Sequence, residues 1–206
     1  MTDAPTPSRR VPRVRLNPQE RRESILAAAV EVFAETGYRA GTVSKVAQRV
    51  GVSEPVIFQN FGSKAALFAA VLDRVTSTIK AEFTGMADRL GSVSDLLAEV
   101  LSPHHLERLH APGSLGALFA DAAALTSEPG VADAARRAVQ GVADLLSDLL
   151  RRGQAQGNIR SDLDPESGAW WVLSMMATRP FRAAIIPGRP DLEAGLAVLT
   201  LQAISP

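Results

Sequence analysis

The chain contains no cysteine. That absence excludes disulfides, thiol redox sensing and thiolate metal sites. It also has no run of 18 or more apolar residues, so no transmembrane helix is expected. The stretch from Met1 to Pro18 is rich in Pro and Arg and has none of the apolar core of a secretory leader, so no leader is expected and the expected compartment is the cytoplasm. Signatures of catalysis are missing as well. There is no glycine-rich phosphate loop, no Gly-x-Ser-x-Gly elbow, no His-Glu-x-x-His run and no Cys–His pair. The carboxylates of residues 65–206 are spread over helix faces expected to meet solvent. These absences argue against an enzyme and against a cofactor. Alternating polar and apolar runs bounded by Asn-Gly or Asp-Gly are also lacking, which removes the usual signal for β-hairpins.

What is present is a division of charge. The whole chain is formally neutral. Residues 1–64 carry ten Lys and Arg against six Asp and Glu, a net +4, and residues 65–206 carry twelve against sixteen, a net −4. A basic first third joined to an acidic remainder is the asymmetry expected when only the N-terminal part meets phosphate. Residues 1–16 read as a disordered basic arm. Pro5, Pro7 and Pro12 oppose a regular helix, and Arg9, Arg10, Arg13 and Arg15 charge the segment. The arm reads either as a solvated tail or as a segment that tracks the DNA backbone or minor groove.

The remainder reads as all-α. Asn17-Pro18-Gln19-Glu20 is a helix start with a capping box, and Ile25, Ala29, Val32 and Phe33 then share one face. Gly37 is expected to end that helix in the left-handed conformation. Thr42 caps a short helix over about 43–50, Gly51 makes a turn, and Ser53 caps a third helix over about 54–60, with Pro55 tolerated in its first turn. A fourth starts near Ser63 and runs to about Leu90. Further helices are expected over about 94–110, 114–127, 129–156, 165–179 and 191–204, with an extra turn or a kinked continuation after Pro180.

Within residues 43–57, Val46, Val50, Val52 and Ile57 form the apolar set, Ala47 is small where two helices cross, and Gly51 follows four residues later. A short helix, a glycine turn and a capped second helix form the layout that projects the second helix into a major groove. Residues 42–68, from Thr42 through Phe58-Gln59-Asn60-Phe61-Gly62-Ser63-Lys64 to Phe68, resemble the DNA-binding signature of the TetR family, and Phe33 with Gly37-Tyr38 matches that family's first helix. The close match covers about residues 20–72. The rest resembles the family only in being all-helical and of suitable length.

The resemblance implies an N-terminal three-helix helix-turn-helix DNA-binding domain over residues 17–64. It implies a C-terminal helical-bundle domain for ligand binding and dimerisation over residues 65–206. It implies a ligand-responsive transcriptional regulator, a repressor that binds a double-stranded palindromic operator as a homodimer and is released by a small, mostly apolar effector of unknown identity; the alternatives are a DNA-binding regulator without a small-molecule ligand, or an activator. Carried over residue by residue, Thr42 would cap its helix and touch phosphate, and Ser44 and Lys45 would lie on the DNA side. Ser53, Pro55, Val56, Phe58, Gln59 and Asn60 would face the groove or its backbone, and Lys64 would contact phosphate. The chain departs from the family at Phe58, where Tyr is usual, at Asn60, where His or Tyr is frequent, and at Pro55, where Gly is frequent. The recognition helix carries Glu54 and no basic residue. Base contacts are therefore expected to be few, with Gln59 and Asn60 suited to adenine and Val56 or Phe58 to a thymine methyl. Affinity would rest on Lys45, Arg49 and Lys64, with the arginine arm as a further candidate contributor.

In the C-terminal part, Phe83, Met86, Leu101, Leu118, Phe119, Trp171 and Met175 supply either core or a ligand pocket, and His105 would be a polar anchor there. His104, His105 and His110 do not suggest a metal: neighbouring helical residues point about 100° apart and no second cluster assists them. In the family the last two long helices dimerise. Here these are the segments 165–179 and 191–204, with Gly168, Ser174, Ala177, Gly195, Leu196, Leu199 and Ala203 as the packing residues.

Overall fold

In the computed structural model, the described residues are 17–125, Glu128 and 130–206, and the basic arm of residues 1–16 lies outside them. Among the described residues the chain forms eleven helices: α1 Pro18–Ala40, α2 Val43–Val50, α3 Glu54–Phe61, α4 Lys64–Leu90, α5 Val93–Val100, α6 Pro103–Leu109, α7 Leu115–Ala124, α8 Val131–Ala155, α9 Pro165–Ala177, α10 Arg179–Ile185 and α11 Pro190–Ile204. None of these is by itself long and apolar enough to cross a membrane.

The start of α1 follows its sequence signal. Asn17 Oδ1 accepts the Glu20 amide at 2.8 Å, and the Glu20 carboxylate accepts the Asn17 amide at 2.8 Å, so two unpaired amides of the first turn are satisfied reciprocally. The end of α1 differs from the expectation. Gly37 breaks the helix at φ 70° and ψ 175°, which is not the left-handed helical conformation, and residues 38–40 then make one further turn. Only glycine adopts that backbone readily, because a Cβ would collide with its own backbone.

Two apolar cores hold the helices together. In the first, the buried faces of α1, α2, α3 and the first half of α4 meet Leu118 and Ala122 of α7 and Val131, Ala134 and Ala138 of α8. At its centre the Phe33 and Phe68 rings pack edge to face at 5.0 Å, and Tyr38 tilts against Phe68 at 4.9 Å. The division expected after residue 64 thus falls inside a continuous core, because α4 carries Leu67, Phe68, Val71 and Leu72 straight through it. The second core joins Phe83 and Ala87 of α4, Val93, Leu96, Leu97 and Val100 of α5, Leu106 of α6, the later part of α8, and Ala169, Val172 and Met176 of α9. Helices α4 and α8 run through both cores and supply the long common supports.

Prolines set two boundaries that helical periodicity alone did not place. The single helix expected over 94–110 is two, because Pro103 has no amide to donate and takes the first position of a new helix, where Ser102 caps by accepting the His105 amide at 3.1 Å. The helix expected to reach residue 179 stops at Ala177, and Pro180 lies in the first turn of the separate helix α10. That short helix buries none of its own side chains. Arg182 holds it in place: its guanidinium donates to both Glu193 carboxylate oxygens at 2.7 and 2.8 Å, to Thr178 Oγ1 at 2.7 Å and to the Met175 carbonyl at 3.2 Å.

The Arg182–Glu193 pair is well enclosed, with side chains 14% and 12% exposed. The guanidinium of Arg182 holds the Glu193 carboxyl below its ordinary value despite the opposing effect of burial. A depressed carboxylate pKa contributes stability that is present above the unfolded value and is lost as pH falls through the folded value. Glu193→Gln is therefore expected to cost about 2 kcal/mol in urea unfolding at pH 7. The difference from the parent chain should shrink steadily as the pH is taken below 4.5, the ordinary Glu value. An equal loss at both ends of that range would remove the charge pair as its cause.

Candidate nucleic-acid interface

Helix α2 begins where Thr42 Oγ1 accepts the Lys45 amide at 3.2 Å, and it ends at Gly51, whose φ of 77° and ψ of 34° form the left-handed cap. The Gly51 and Val52 amides both bond the Ala47 carbonyl, so the turn between α2 and α3 is tight. Val46, Ala47 and Ile57 are buried beneath it. Ser53 stands at the cap position of α3 with extended backbone, yet its hydroxyl makes no capping bond. The expected Ser53 side-chain cap is thus absent, and this hydroxyl remains free to meet a partner.

The outer face of this unit presents Thr42, Ser44, Lys45, Ser53, Pro55, Phe58 and Gln59, all exposed, while Val56 is half-buried against the first core. Phe58 is 43% exposed, a large apolar ring offered to solvent on α3. Asn60 is half-buried. Its Nδ2 donates to the Val56 carbonyl at 2.7 Å, so part of its amide is already engaged within its own helix. Arg49 also departs from expectation: it forms a two-pronged pair with Glu35 at 2.8 and 2.8 Å and a longer bond to Glu31 at 3.3 Å. Its charge is largely answered by α1 before any other partner arrives.

The ammonium groups of two lysines, Lys45 of α2 and Lys64 of α4, reach the carbonyls of one short turn, residues 38–40. Lys45 Nζ donates to the Ala40 carbonyl at 3.1 Å, and Lys64 Nζ lies 3.4 Å from the Arg39 carbonyl and 4.4 Å above the Tyr38 ring. Burial lowers the Lys64 pKa, opposed by the carboxylates of Glu128 and Asp121. An ammonium held by carbonyls and a ring face is only partly satisfied and can be drawn to a phosphate. One positioning residue carried no sequence signal. Arg22 of α1 donates to the Asn60 carbonyl and stacks its guanidinium 4.1 Å from the centre of the Phe61 ring. It braces the C-terminal end of α3 from 38 residues away, a separation that no local pattern reveals.

The residues expected around an effector are divided. Phe83 and Leu101 are buried in the second core, with Met86 and Phe119 packed against it, while Leu118 belongs to the first. Phe119 touches both cores. His105 is half-buried, and burial pushes its pKa down, aided by the charge of Arg108. Met175 is half-buried. Trp171 lies elsewhere, 55% exposed on the outer side of α9 with its Nε1 3.4 Å from Thr200 Oγ1. Its outward placement removes it from the set around Phe83 and Leu101. Two open surface grooves meet at Gln140 and Trp170; one is lined by Asp144, Ser147, Asp148, Arg151 and Glu166, the other by Ala122, Ala132, Ala135 and Val139. None of the expected effector residues lines either.

Of the residues expected at a subunit interface, Ser174, Ala177, Gly195, Leu199 and Ala203 are exposed, and Leu196 is half-buried. Gly168 is not available: it is buried, and a Cβ there would lie 2.9 Å from Leu150 and 3.0 Å from Leu163. Trp171, Phe181, Ile185, Val198 and Leu199 add large apolar surface on α9, α10 and α11.

Residues 25–71 match the family model described as bacterial regulatory proteins of the tetR family. That match falls on the helix-turn-helix and its flanking helices and covers less than half of the chain. Over 60 residues the chain is 50% identical to the HTH-type transcriptional activator FasR of Mycolicibacterium smegmatis, a stretch that is 29% of this chain and 27% of that protein. It therefore covers only about a quarter of that relative's length. In fold the likeness is longer. A TetR-family regulator from Agrobacterium tumefaciens superposes with a TM-score of 0.73 at 20% identity, covering 92% of this chain and 100% of that one. The Bacillus subtilis regulator FadR, solved in complex with stearoyl-CoA, gives a TM-score of 0.67 at 21% identity over 87% of this chain and 95% of that one.

The two caps allow a direct check of the geometry. Thr42→Ala removes a hydroxyl that satisfies a helix amide and is expected to cost about 1 kcal/mol of unfolding free energy. Ser53→Ala removes no such bond and should stay within about 0.5 kcal/mol of the parent. Equal losses in denaturant titrations would contradict the difference between them.

Proposed function

We propose that the chain is a ligand-responsive DNA-binding transcriptional regulator, a repressor that acts in the cytoplasm as a homodimer on a palindromic operator. The observation that carries the DNA reading is the α2–α3 unit, with its exposed outer side chains and the ammonium groups of Lys45 and Lys64 brought to a single turn beside it. Thr42, Ser44, Lys45 and Lys64 are assigned to phosphate and its surroundings. Ser53, Pro55, Val56, Phe58, Gln59 and Asn60 are assigned to the groove face. With Glu54 the sole charge on α3, base readout is sparse and much of the affinity comes from backbone contacts. Gln59 is the exposed amide best placed for adenine, and Asn60 must give up its bond to Val56 to read a base.

A second copy of the chain is assigned to the exposed apolar face of α9 and α11. Twofold symmetry of the protein then matches a twofold operator, with half-sites about 34–36 Å or a multiple of that apart. A small, mostly apolar effector is assigned to the seam between the two cores, where Phe119 touches both, with Met86, Phe83, Leu101 and Leu118 around it and His105 as the polar group. Support for an effector comes from the fold, which in the B. subtilis structure accompanies stearoyl-CoA. Effector binding shifts α4 and α7 relative to α1 and so changes the spacing of the two recognition helices; it can do so only through different affinities for the two shapes. The Mycolicibacterium smegmatis relative, similar over the DNA-binding stretch, is named an activator. Activation in place of repression would follow from the position of the operator, not from the geometry of α2 and α3.

Selection of bound sequences from random DNA is expected to return a twofold motif, and a small-molecule screen on that motif should find a compound that releases the protein. Failure to enrich any sequence would overturn the DNA reading. Lys64→Ala should weaken binding to all sequences and lower the slope of log K against log salt by about one counterion. A slope equal to that of the parent would show that Lys64 makes no phosphate contact. Leu199 is 62% exposed, so Leu199→Glu should leave the fold intact and turn dimer to monomer in sedimentation equilibrium. An unchanged mass would move the interface elsewhere.

A further inference from the structure

The turn that holds both lysines is itself held from the other end by a residue of α7. Asp121 Oδ2 accepts the Tyr38 amide at 2.6 Å, across 83 residues of sequence. This carboxylate caps the single turn of residues 38–40, whose first free amide is that of Tyr38 because Gly37 has turned the chain away from α1. The fit is close. A Cβ on Gly37 would lie 3.3 Å from Asp121 Oδ1. At the other end of the same turn, the Arg39 and Ala40 carbonyls face Lys64 and Lys45. Tyr38 carries the Lys64 ammonium on its ring and rests on Phe68. Gly41 then leads into Thr42 and α2, with its own amide bonded to the Gly37 carbonyl at 3.0 Å.

We infer that Asp121 is a positioning residue for DNA binding: it fixes the turn of residues 38–40 and thereby places Lys45, Lys64 and the start of α2. The inference rests on the DNA-binding reading above and adds to it a residue outside the helix-turn-helix. An acceptor oxygen on a rigid helix is what the role requires, since the amide of Tyr38 needs a partner whether or not that partner is charged. The charge of Asp121 by itself would have the opposite effect on affinity, because it attracts Lys64 and repels phosphate. The two roles therefore separate by substitution. Asp121→Asn keeps an acceptor and removes the charge; Asp121→Ala removes both.

The test measures operator affinity by fluorescence anisotropy for the full chain and both variants, together with amide exchange at Tyr38 in the free protein. Positioning predicts that Asp121→Ala raises Kd about tenfold and speeds Tyr38 exchange by a similar factor. It predicts that Asp121→Asn stays within about threefold of the parent in both readouts, or binds more tightly. A loss that only follows lowered global stability would appear as faster exchange throughout the first core and would overturn the assignment. So would an Asp121→Ala variant that binds like the parent, or tighter binding by both variants, which would mark Asp121 as a competitor for Lys64 and nothing more. If the parent chain enriches no DNA, the functional reading itself fails and this inference with it; if the parent binds and Asp121→Ala is unaffected, only the inference fails.

Discussion

The packing of Phe33, Tyr38 and Phe68 at the centre of the first core is the contact on which the rest of the structure depends. Phe33 ends the long face of α1, Tyr38 sits on the turn that leads to α2, and Phe68 lies one turn inside α4. Three elements of the N-terminal unit thus meet at one point, and the faces of α7 and α8 close over the same core. Aromatic side chains bury large areas and prefer the edge-to-face and tilted geometries seen here. Because protein interiors are packed densely, a shift in any of these helices must be taken up by its neighbours. The α2–α3 unit is therefore mechanically joined to α7 and α8 and does not hang from the end of α4 alone.

That junction has consequences for the surface above it. The turn of residues 38–40 offers carbonyls to two lysines and an amide to Asp121, so these three polar groups are answered while the lysines stay near the surface. Arg49, in contrast, is tied by Glu31 and Glu35 and adds little free positive charge. Where each of these described cations is held is thus a stronger constraint on how phosphate is met than the net charge of the segment.

The second core and its outer helices follow a different logic. Helices α9, α10 and α11 combine buried residues such as Ala169, Val172 and Ile204 with exposed Trp171, Phe181, Ile185 and Leu199. Exposed apolar side chains scattered singly are ordinary, but several on adjoining helices mark a surface that gains by being covered. The enclosed Arg182–Glu193 pair holds α10 to α11 beside this surface, so the small helix keeps its position despite burying nothing of its own.

Much of the local structure was written in the sequence. The capping box at Asn17 and Glu20, the Thr42 cap, the Gly51 turn and the helical periodicity after Ser63 each act over a few residues, and each appears where those residues place it. Pro103 and Pro180 were equally visible, but what they would do to a helix depended on whether the chain could start a new one there. Burial and long-range pairing could not be read in this way. Apolar residues at helical spacing look alike whether they face a core or a partner, so Leu101 and Trp171 were indistinguishable until the helices were assembled. The same holds for Gly168, whose small size serves packing against Leu150 within the chain. By itself the sequence determined most of the helices, the Asn17 and Thr42 caps and the DNA-binding signature, because short-range hydrogen bonding and backbone sterics decide those. The tertiary structure alone decided that Arg49 pairs with Glu31 and Glu35, that Arg22 braces α3, and that Asp121 holds the turn whose carbonyls meet Lys45 and Lys64, because those contacts join residues that only the packing of the two cores brings together.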